Sequence, residues 1–246
     1  MPLLRSLLAW TAASIATVLY GVPAIFAAFV PPRGDWFLLF ARGWARTILL
    51  LCGIRARVIH AERLTGARSV IVAANHESFV DILVLLARLP MQVRFLAKRG
   101  VFAVPILGWS IRAAGFIPVD RGDRTRGAAT MEAALARLKK GRSLVVFPEE
   151  TRTRTGELSE FKKGAALLAI RSGLPILPVG IAGTRRVLAA GRWLMRPGPV
   201  VVAIGDPIEV AGRDRKERGE VTGLLRDAVA GLREEAAKEL GDRSIG

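Results

Sequence analysis

Residues Ser6–Val30 (SLLAWTAASIATVLYGVPAIFAAFV) form a run of 25 residues without a formal charge. This run limits the folds open to the chain more than any other feature. As one helix rising ~1.5 Å per residue it is roughly 37 Å long, against about 30 Å for a bilayer's hydrocarbon core, so it is long enough to cross with tilt. Gly21 and Pro23 interrupt it. A proline inside a helix removes a hydrogen bond and kinks the chain, so a bent, re-entrant segment also fits. A turn signal follows at Pro31-Pro32-Arg33-Gly34, and then a second apolar segment, Trp36–Ile54, with Arg42 and Arg46 four apart on one helix face. Such a helix lies in the interface with its arginines toward lipid phosphates. Two other readings compete for the first run: a cleaved signal peptide, since Arg5 precedes it, and a buried core helix. Its length and the lack of a small-x-small end favour a retained anchor over residues 1–54. Arg5 alone precedes the run, whereas Arg33, Arg42, Arg46, Arg55 and Arg57 follow it, which puts the rest of the chain on the cytoplasmic face of the membrane.

The remaining residues, 55–246, change character. Short β-branched runs (Arg55–His60, Ser69–Ala73, Val93–Ala97, Phe116–Val119, Ser143–Phe147, Ile176–Ile181, Val200–Ile204) alternate with helical patterns (Phe79–Arg88, Val101–Ala114, Arg124–Lys140, Phe161–Arg171, Arg218–Leu240). This alternation predicts an α/β domain: a mixed, mostly buried sheet flanked by helices, preceded by the N-terminal membrane-associated two-helix segment. The last helix carries Val221, Leu224, Leu225, Ala228, Val229, Leu232 and Ala236 at helical spacing, a stripe that docks it on the domain.

Composition narrows the chemistry. One cysteine, Cys52, excludes a disulfide framework and Cys-rich metal sites, and two histidines, His60 and His76, are too few for a His-based metal centre. Lys and Arg number 37 against 21 Asp and Glu, a net charge of +16 that seeks anionic partners: acidic headgroups, phosphorylated small molecules, acidic carrier proteins or nucleic acid. No RNA-binding aromatic motif, zinc pattern or basic-region heptad supports the last of these.

The segment Asn75-His76-Glu77-Ser78-Phe79-Val80-Asp81 joins a strand to an apolar helix, where α/β proteins place reactive groups. Imidazole exchanges protons near neutral pH, so a histidine here can act as a general base held by Asp81. Five residues of continuous helix would turn the two about 140° apart. The relay therefore requires His76 in the loop and Asp81 in the first helical turn. Ser78-x-x-Asp81 also reads as a capping box, which leaves Asn75-His76 unexplained. The two readings are compatible, because capping puts His76 just outside the helix.

Asn75-His76-x-x-x-x-Asp81 resembles the first motif of the glycerolipid acyltransferases, and three further matches follow in order. Gly115-Phe116-Ile117-Pro118-Val119-Asp120-Arg121 resembles the second. On its own it is a strand ending in a cation, with Arg121 suited to a bidentate phosphate contact or to a surface pair with Asp120 or Asp123. Phe147-Pro148-Glu149-Glu150-Thr151-Arg152, followed by Phe161-Lys162-Lys163-Gly164, resembles the third, although Glu150 stands where the family has Gly. Leu174-Pro175-Ile176-Leu177-Pro178-Val179-Gly180-Ile181 resembles the fourth, a hydrophobic strand.

The resemblance, over residues 75–184, implies transfer of a fatty acyl group from a thioester to the free sn-2 hydroxyl of lysophosphatidic acid, giving phosphatidic acid. It makes His76 and Asp81 catalytic and assigns Arg121, Glu149, Thr151, Arg152 and Lys162 to substrate binding. Backbone N–H groups near Ser78 and Phe79 would hold the oxyanion. Acyl-CoA or an acyl carrier protein would supply the thioester, with membrane lipids as partners and neither metal nor other cofactor. Glu150 motivates a different lysolipid acceptor as an alternative, and a non-catalytic basic membrane-binding protein is a third reading. From Lys162 to Arg196 there are seven cations and no acid, a face suited to acidic carriers.

Overall fold

A computed structural model describes residues 2–31, 35–64, 69–120 and 124–241. Arg121, Asp123 and most of the expected turn (Pro32, Arg33 and Gly34) lie outside the described residues. Two helices open the chain, α1 (Pro2–Ala27) and α2 (Phe37–Leu51). Then β1 (Ile54–Ile59), β2 (Ile71–Ala74), α3 (Val80–Arg88), β3 (Val93–Lys98), α4 (Leu107–Ala113), β4 (Ile117–Val119), α5 (Arg124–Leu138) and β5 (Ser143–Val146) alternate. The chain ends with α6 (Gly164–Ser172), β6 (Ile176–Ala182), α7 (Thr184–Val187), β7 (Gly198–Ile204) and α8 (Arg218–Gly241).

The seven strands form one sheet in the order β1-β7-β6-β2-β5-β3-β4. All pairs are parallel except β6 with β7, so the sheet is mixed, as expected. The five strands β6, β2, β5, β3 and β4 run the same way and end along one edge. Helices cover both faces, which is why the inner strands are mostly apolar, with Arg94 of β3 a buried exception. Val72 and Ala74 join a core with α1, α2 and α3, whereas Ile71 and Ala73 join a second core with α5, α6 and α8.

Several elements differ from expectation. The single helix expected over 101–114 is a 3-10 turn (Arg99–Ala103) and then α4, because Pro105 lacks the N–H a continuous helix needs and Ile106 takes φ 61. α6 begins at Gly164 rather than Phe161, since the Lys162 N–H donates to Pro148 O and holds the preceding residues against the β5 exit. α1 runs through Pro23 as one helix. Gly21 serves packing there, as a Cβ would meet Ile106 Cγ2 at 2.6 Å. In α8 the stripe docks as expected except for Leu224, which is exposed.

Arg42 does not face lipid phosphates. Its Nη2 donates to Leu89 O and Met91 O at 2.9 Å, fastening α2 to the link between α3 and β3. Asp35, just before α2, receives Arg94 and Arg142 from β3 and the start of β5. Arg94 is fully buried, and burial, with Arg142 beside it, pushes its guanidinium down to about 10.

α1 rests on the protein along its length. Ser6 and Trp10 bond the backbone at Met195 and Trp193, Thr17 and Tyr20 bond Trp44 and Thr47 of α2, and Gly21 abuts Ile106. Its other face exposes Leu3, Leu4, Leu7, Leu8, Leu19 and Phe26. An exposed apolar strip of this size fits association with a membrane.

Candidate active site

The carboxyl edge of the five co-directional strands gathers most of the expected site residues. β2 ends at Ala74, and Asn75 extends it by side chain: Nδ2 donates to Ile181 O at 2.9 Å and Oδ1 accepts the Ile181 N–H at 2.7 Å. Asn75 thus pins the loop to β6, the part of the motif that capping left unexplained. His76 follows in the loop, and Asp81 sits in the first turn of α3. Nδ1 of His76 lies 2.8 Å from Asp81 Oδ2, the juxtaposition that the spacing of five permits only in this arrangement.

Asp81 also starts the helix. Its Oδ2 accepts the N–H groups of Glu77 and Ser78 at 2.8 Å each. Ser78 Oγ accepts the Val80 N–H and donates to Leu188 O, so half of the expected capping box forms and the other half is a tighter turn. The Ser78 amide is therefore engaged by Asp81 and is not available to an oxyanion.

His76 is 5% exposed, and its ring stacks on Phe147 at 3.9 Å between centroids. It is not walled in. It lines a cavity of about 210 Å³ between the sheet and the first two helices, with Tyr20, Ala24, Phe40, Trp44, Leu86 and Phe95 among the apolar walls. Arg152 and Lys98 line this same cavity. A second cavity, of about 490 Å³, opens between β4, β5, α5 and α6, and Lys98 reaches it too, with Lys162, Asp120 and Glu150. Lys98 and Phe147 border both cavities.

The expected substrate-binding residues separate into groups. Arg152 shares the first cavity with His76, and Lys162 lines the second. Thr151 is exposed and lines neither. Glu149 is buried, with both oxygens taken by backbone: Oε1 accepts the His76 N–H at 2.7 Å and Oε2 the Ser159 N–H at 2.9 Å. It positions the His76 loop rather than presenting an acceptor contact. Glu150 adopts φ 59. The turn after β5 demands a left-handed residue, which explains the family's Gly, and Glu holds the same geometry at a cost of about 1–2 kcal/mol. Asp120 pairs with Arg99 at 2.6 Å.

Lys98 escaped the sequence reading, which stopped the strand at Ala97. A cation directly after the apolar run Phe95-Leu96-Ala97 was the signal. Cys52 is buried, which pushes its thiol up and leaves it a poor nucleophile.

A histidine–carboxylate pair at a sheet's carboxyl edge, opening on an apolar cavity flanked by cations, is an arrangement suited to amphiphilic anions. Residues 55–182, more than half of the chain, match the Acyltransferase family model, and the chain belongs to that family. Among solved structures it is similar to the 1-acyl-sn-glycerophosphate (LPA) acyltransferase PlsC from Thermotoga maritima, with a TM-score of 0.79 and 29% identity over 94% of this chain and 95% of that one. It is 32% identical over 204 residues to a 1-acyl-sn-glycerol-3-phosphate acyltransferase of Saccharomyces cerevisiae, covering 82% of this chain. It is 31% identical over 202 residues, 81% of the chain, to a chloroplastic enzyme of the same name from Arabidopsis thaliana. The chain spans 66% of the yeast protein's length and 56% of the Arabidopsis protein's.

Proposed function

We propose that the protein transfers a fatty acyl group from an acyl thioester to the free sn-2 hydroxyl of lysophosphatidic acid, giving phosphatidic acid. The observation that carries this reading is the His76–Asp81 pair at 2.8 Å on the wall of an apolar cavity. With Nδ1–H given to Asp81, Nε2 takes the hydroxyl proton as the oxygen attacks the thioester carbonyl. The new C–O bond forms, the C–S bond breaks, and the departing thiolate receives the proton from the imidazolium. General-base assistance of this kind contributes roughly 10²–10⁴-fold. Asp81 holds the tautomer and offsets the imidazolium charge. The thioester is carried by coenzyme A or an acyl carrier protein, both anionic and both suited to the basic stretch from Lys162 to Arg196.

Arg152 and Lys98 hold the acceptor phosphate beside His76, with Lys162 at the second cavity. A charge-assisted hydrogen bond contributes about 1.5–3 kcal/mol. Arg152→Ala should therefore raise the acceptor's KM roughly 10- to 100-fold and leave the donor's KM unchanged, as read from initial rates with each substrate varied in turn.

The cavity between α1, α2 and the sheet takes the acyl chain. Ala24 lines it and is buried. Ala24→Leu should shorten the preferred chain. Each methylene denied burial forfeits ~0.8 kcal/mol, so exclusion of two should shift the long-to-short preference about 15-fold in a competition between acyl thioesters.

α1 is fastened to the domain at both ends, which supports seating it in one leaflet, with residues 1–54 as the anchor and the active site facing the cytoplasm. A second reading, a different lysolipid acceptor, rests on the Glu150 carboxylate at the second cavity beside Lys98 and Lys162, which would suit a headgroup carrying a cation. The test is a panel of lysolipids offered to the purified protein in mixed micelles with one labelled long-chain acyl thioester. Labelled phosphatidic acid should dominate. Labelling of an amino-headgroup lysolipid with none from lysophosphatidic acid would transfer the assignment to the second reading.

A further inference from the structure

Glu77 stands between the catalytic histidine and the helix start, and its carboxylate is buried. The sequence offers no partner for it nearby. The partner is Arg233, 156 residues away in the middle of α8, whose Nε donates to Glu77 Oε1 at 2.7 Å. The same guanidinium donates through Nη2 to Gly156 O. Gly156 belongs to the turn that follows Arg152, and that turn is already joined to the His76 loop by the Thr153 N–H to His76 O bond at 2.9 Å. α8 comes this close because β6 has Gly180 beneath it: a Cβ there would lie 2.3 Å from the Arg233 backbone nitrogen.

We propose that Arg233 is a positioning residue for acyl transfer, one arm holding Glu77 and the other the 153–159 turn, so that α8 fixes His76 relative to Arg152. This rests on the reaction proposed above. The docking of α8 does not need these bonds, since Val221, Leu225, Val229, Leu232 and Ala236 already bury its apolar stripe. Arg233 also lies outside the residues matched by the family model, 55–182.

The charges explain why a cation is required. Three carboxylates surround one loop: Glu77, Asp81 and Glu149. Asp81 is spent on His76 and two amides, and Glu149 on two further amides. Glu77 is left to Arg233. Burial pushes the Glu77 carboxyl up, the hydrogen bond and charge of Arg233 pull it down, and the charges of Asp81 and Glu149 push it up again. The other guanidinium at this turn, Arg185, packs on Gly156 and donates to Arg154 O. Without Arg233, Glu77 becomes an unpaired buried anion next to His76, and the loop must shift to hydrate it.

The test uses the full chain with Arg233→Ala, Arg233→Lys, Glu77→Gln and the double variant Arg233→Ala/Glu77→Gln. Rates are taken with lysophosphatidic acid and a long-chain acyl thioester from pH 6 to 9 and divided by wild type at each pH. Arg233→Ala should lower kcat about tenfold and raise the acceptor's KM several-fold with the donor's KM unchanged, since small misplacement of reacting groups costs one to two orders of magnitude. That loss should shrink as the pH falls, because protonating Glu77 removes the unpaired charge. The double variant should recover the part of kcat lost to the unpaired charge, not the part lost with the hold on Gly156, and show a flat ratio across pH. Arg233→Lys, which keeps the charge but not the two-armed grip, should fold as wild type with an intermediate kcat, and this variant decides the matter if Arg233→Ala does not fold. Wild-type kinetics in Arg233→Lys and Arg233→Ala, with only the melting temperature moved, would overturn the proposal. So would a pH-independent loss that Glu77→Gln fails to relieve. Wild-type turnover in the same assay keeps the acyl-transfer reading standing whatever the variants do, and a wild type without turnover removes both.

Discussion

His76→Ala should reduce acyl transfer by roughly 10²–10⁴-fold and leave the protein folded. The side chain makes two contacts that matter, the Asp81 carboxylate and the Phe147 face. The loop itself is held by the backbone: the His76 N–H on Glu149, its carbonyl under Thr153, and the Asn75 side chain on Ile181. Those bonds survive the substitution. Losing the ring stack costs about 0.5–1.5 kcal/mol, or a few degrees of melting temperature for a domain of this size. Activity and melting should therefore separate cleanly, the first collapsing and the second barely moving. A variant that keeps a tenth or more of wild-type turnover would reduce the motif to a helix start.

Asp81→Asn should be nearly as damaging to turnover and more damaging to stability. Three donors converge on Oδ2: the His76 imidazole and the amides of Glu77 and Ser78. An amide oxygen can occupy the same place, so the backbone geometry holds. The charge that offsets the imidazolium is gone, however, and kcat should drop by about two to four orders of magnitude. The new NH₂ group then falls at Oδ1, which is buried and has no hydrogen-bond partner among the described residues. A buried donor left unpaired costs about 1–3 kcal/mol. Thermal melting and kcat should both fall, in contrast to His76→Ala. An Asn variant that retains wild-type kcat would mean that the carboxylate serves α3 alone.

The layout of strands and helices was legible because the inner strands are mostly apolar on both faces and the helices between them carry apolar stripes. The two cores on either side of β2 are the physical source of that pattern. Strand order was not legible: β7 returns antiparallel between β6 and β1, a pairing made by contacts far apart in sequence. The break at Pro105 could have been read, since a proline so placed ends a helix, but the apolar spacing on either side hid it.

Within the site, the His76–Asp81 geometry was readable because loop and first turn are the only arrangement in which a spacing of five closes. The partners of Glu149 were not legible, because which donors reach a buried carboxylate depends on two loops folding over it. Arg42 was misdirected for a related reason. An arginine in an apolar helix can face lipid phosphates or unpaired carbonyls, and the exposed carbonyls at Leu89 and Met91 belong to a distant segment. Arg233 gave no sequence signal at all, being one of several cations on a mostly solvated helix.

In the proposed reaction an imidazole removes the proton of a lipid hydroxyl as that oxygen takes the acyl group directly from a thioester. The most direct measurement follows free thiol and lipid product together in one reaction, with lysophosphatidic acid, with its 2-deoxy analogue and with no acceptor. One thiol should appear for each phosphatidic acid formed, and none with the analogue or without acceptor. Thiol release at the first turnover without a hydroxyl acceptor, with the acyl group retained on the protein, would contradict it.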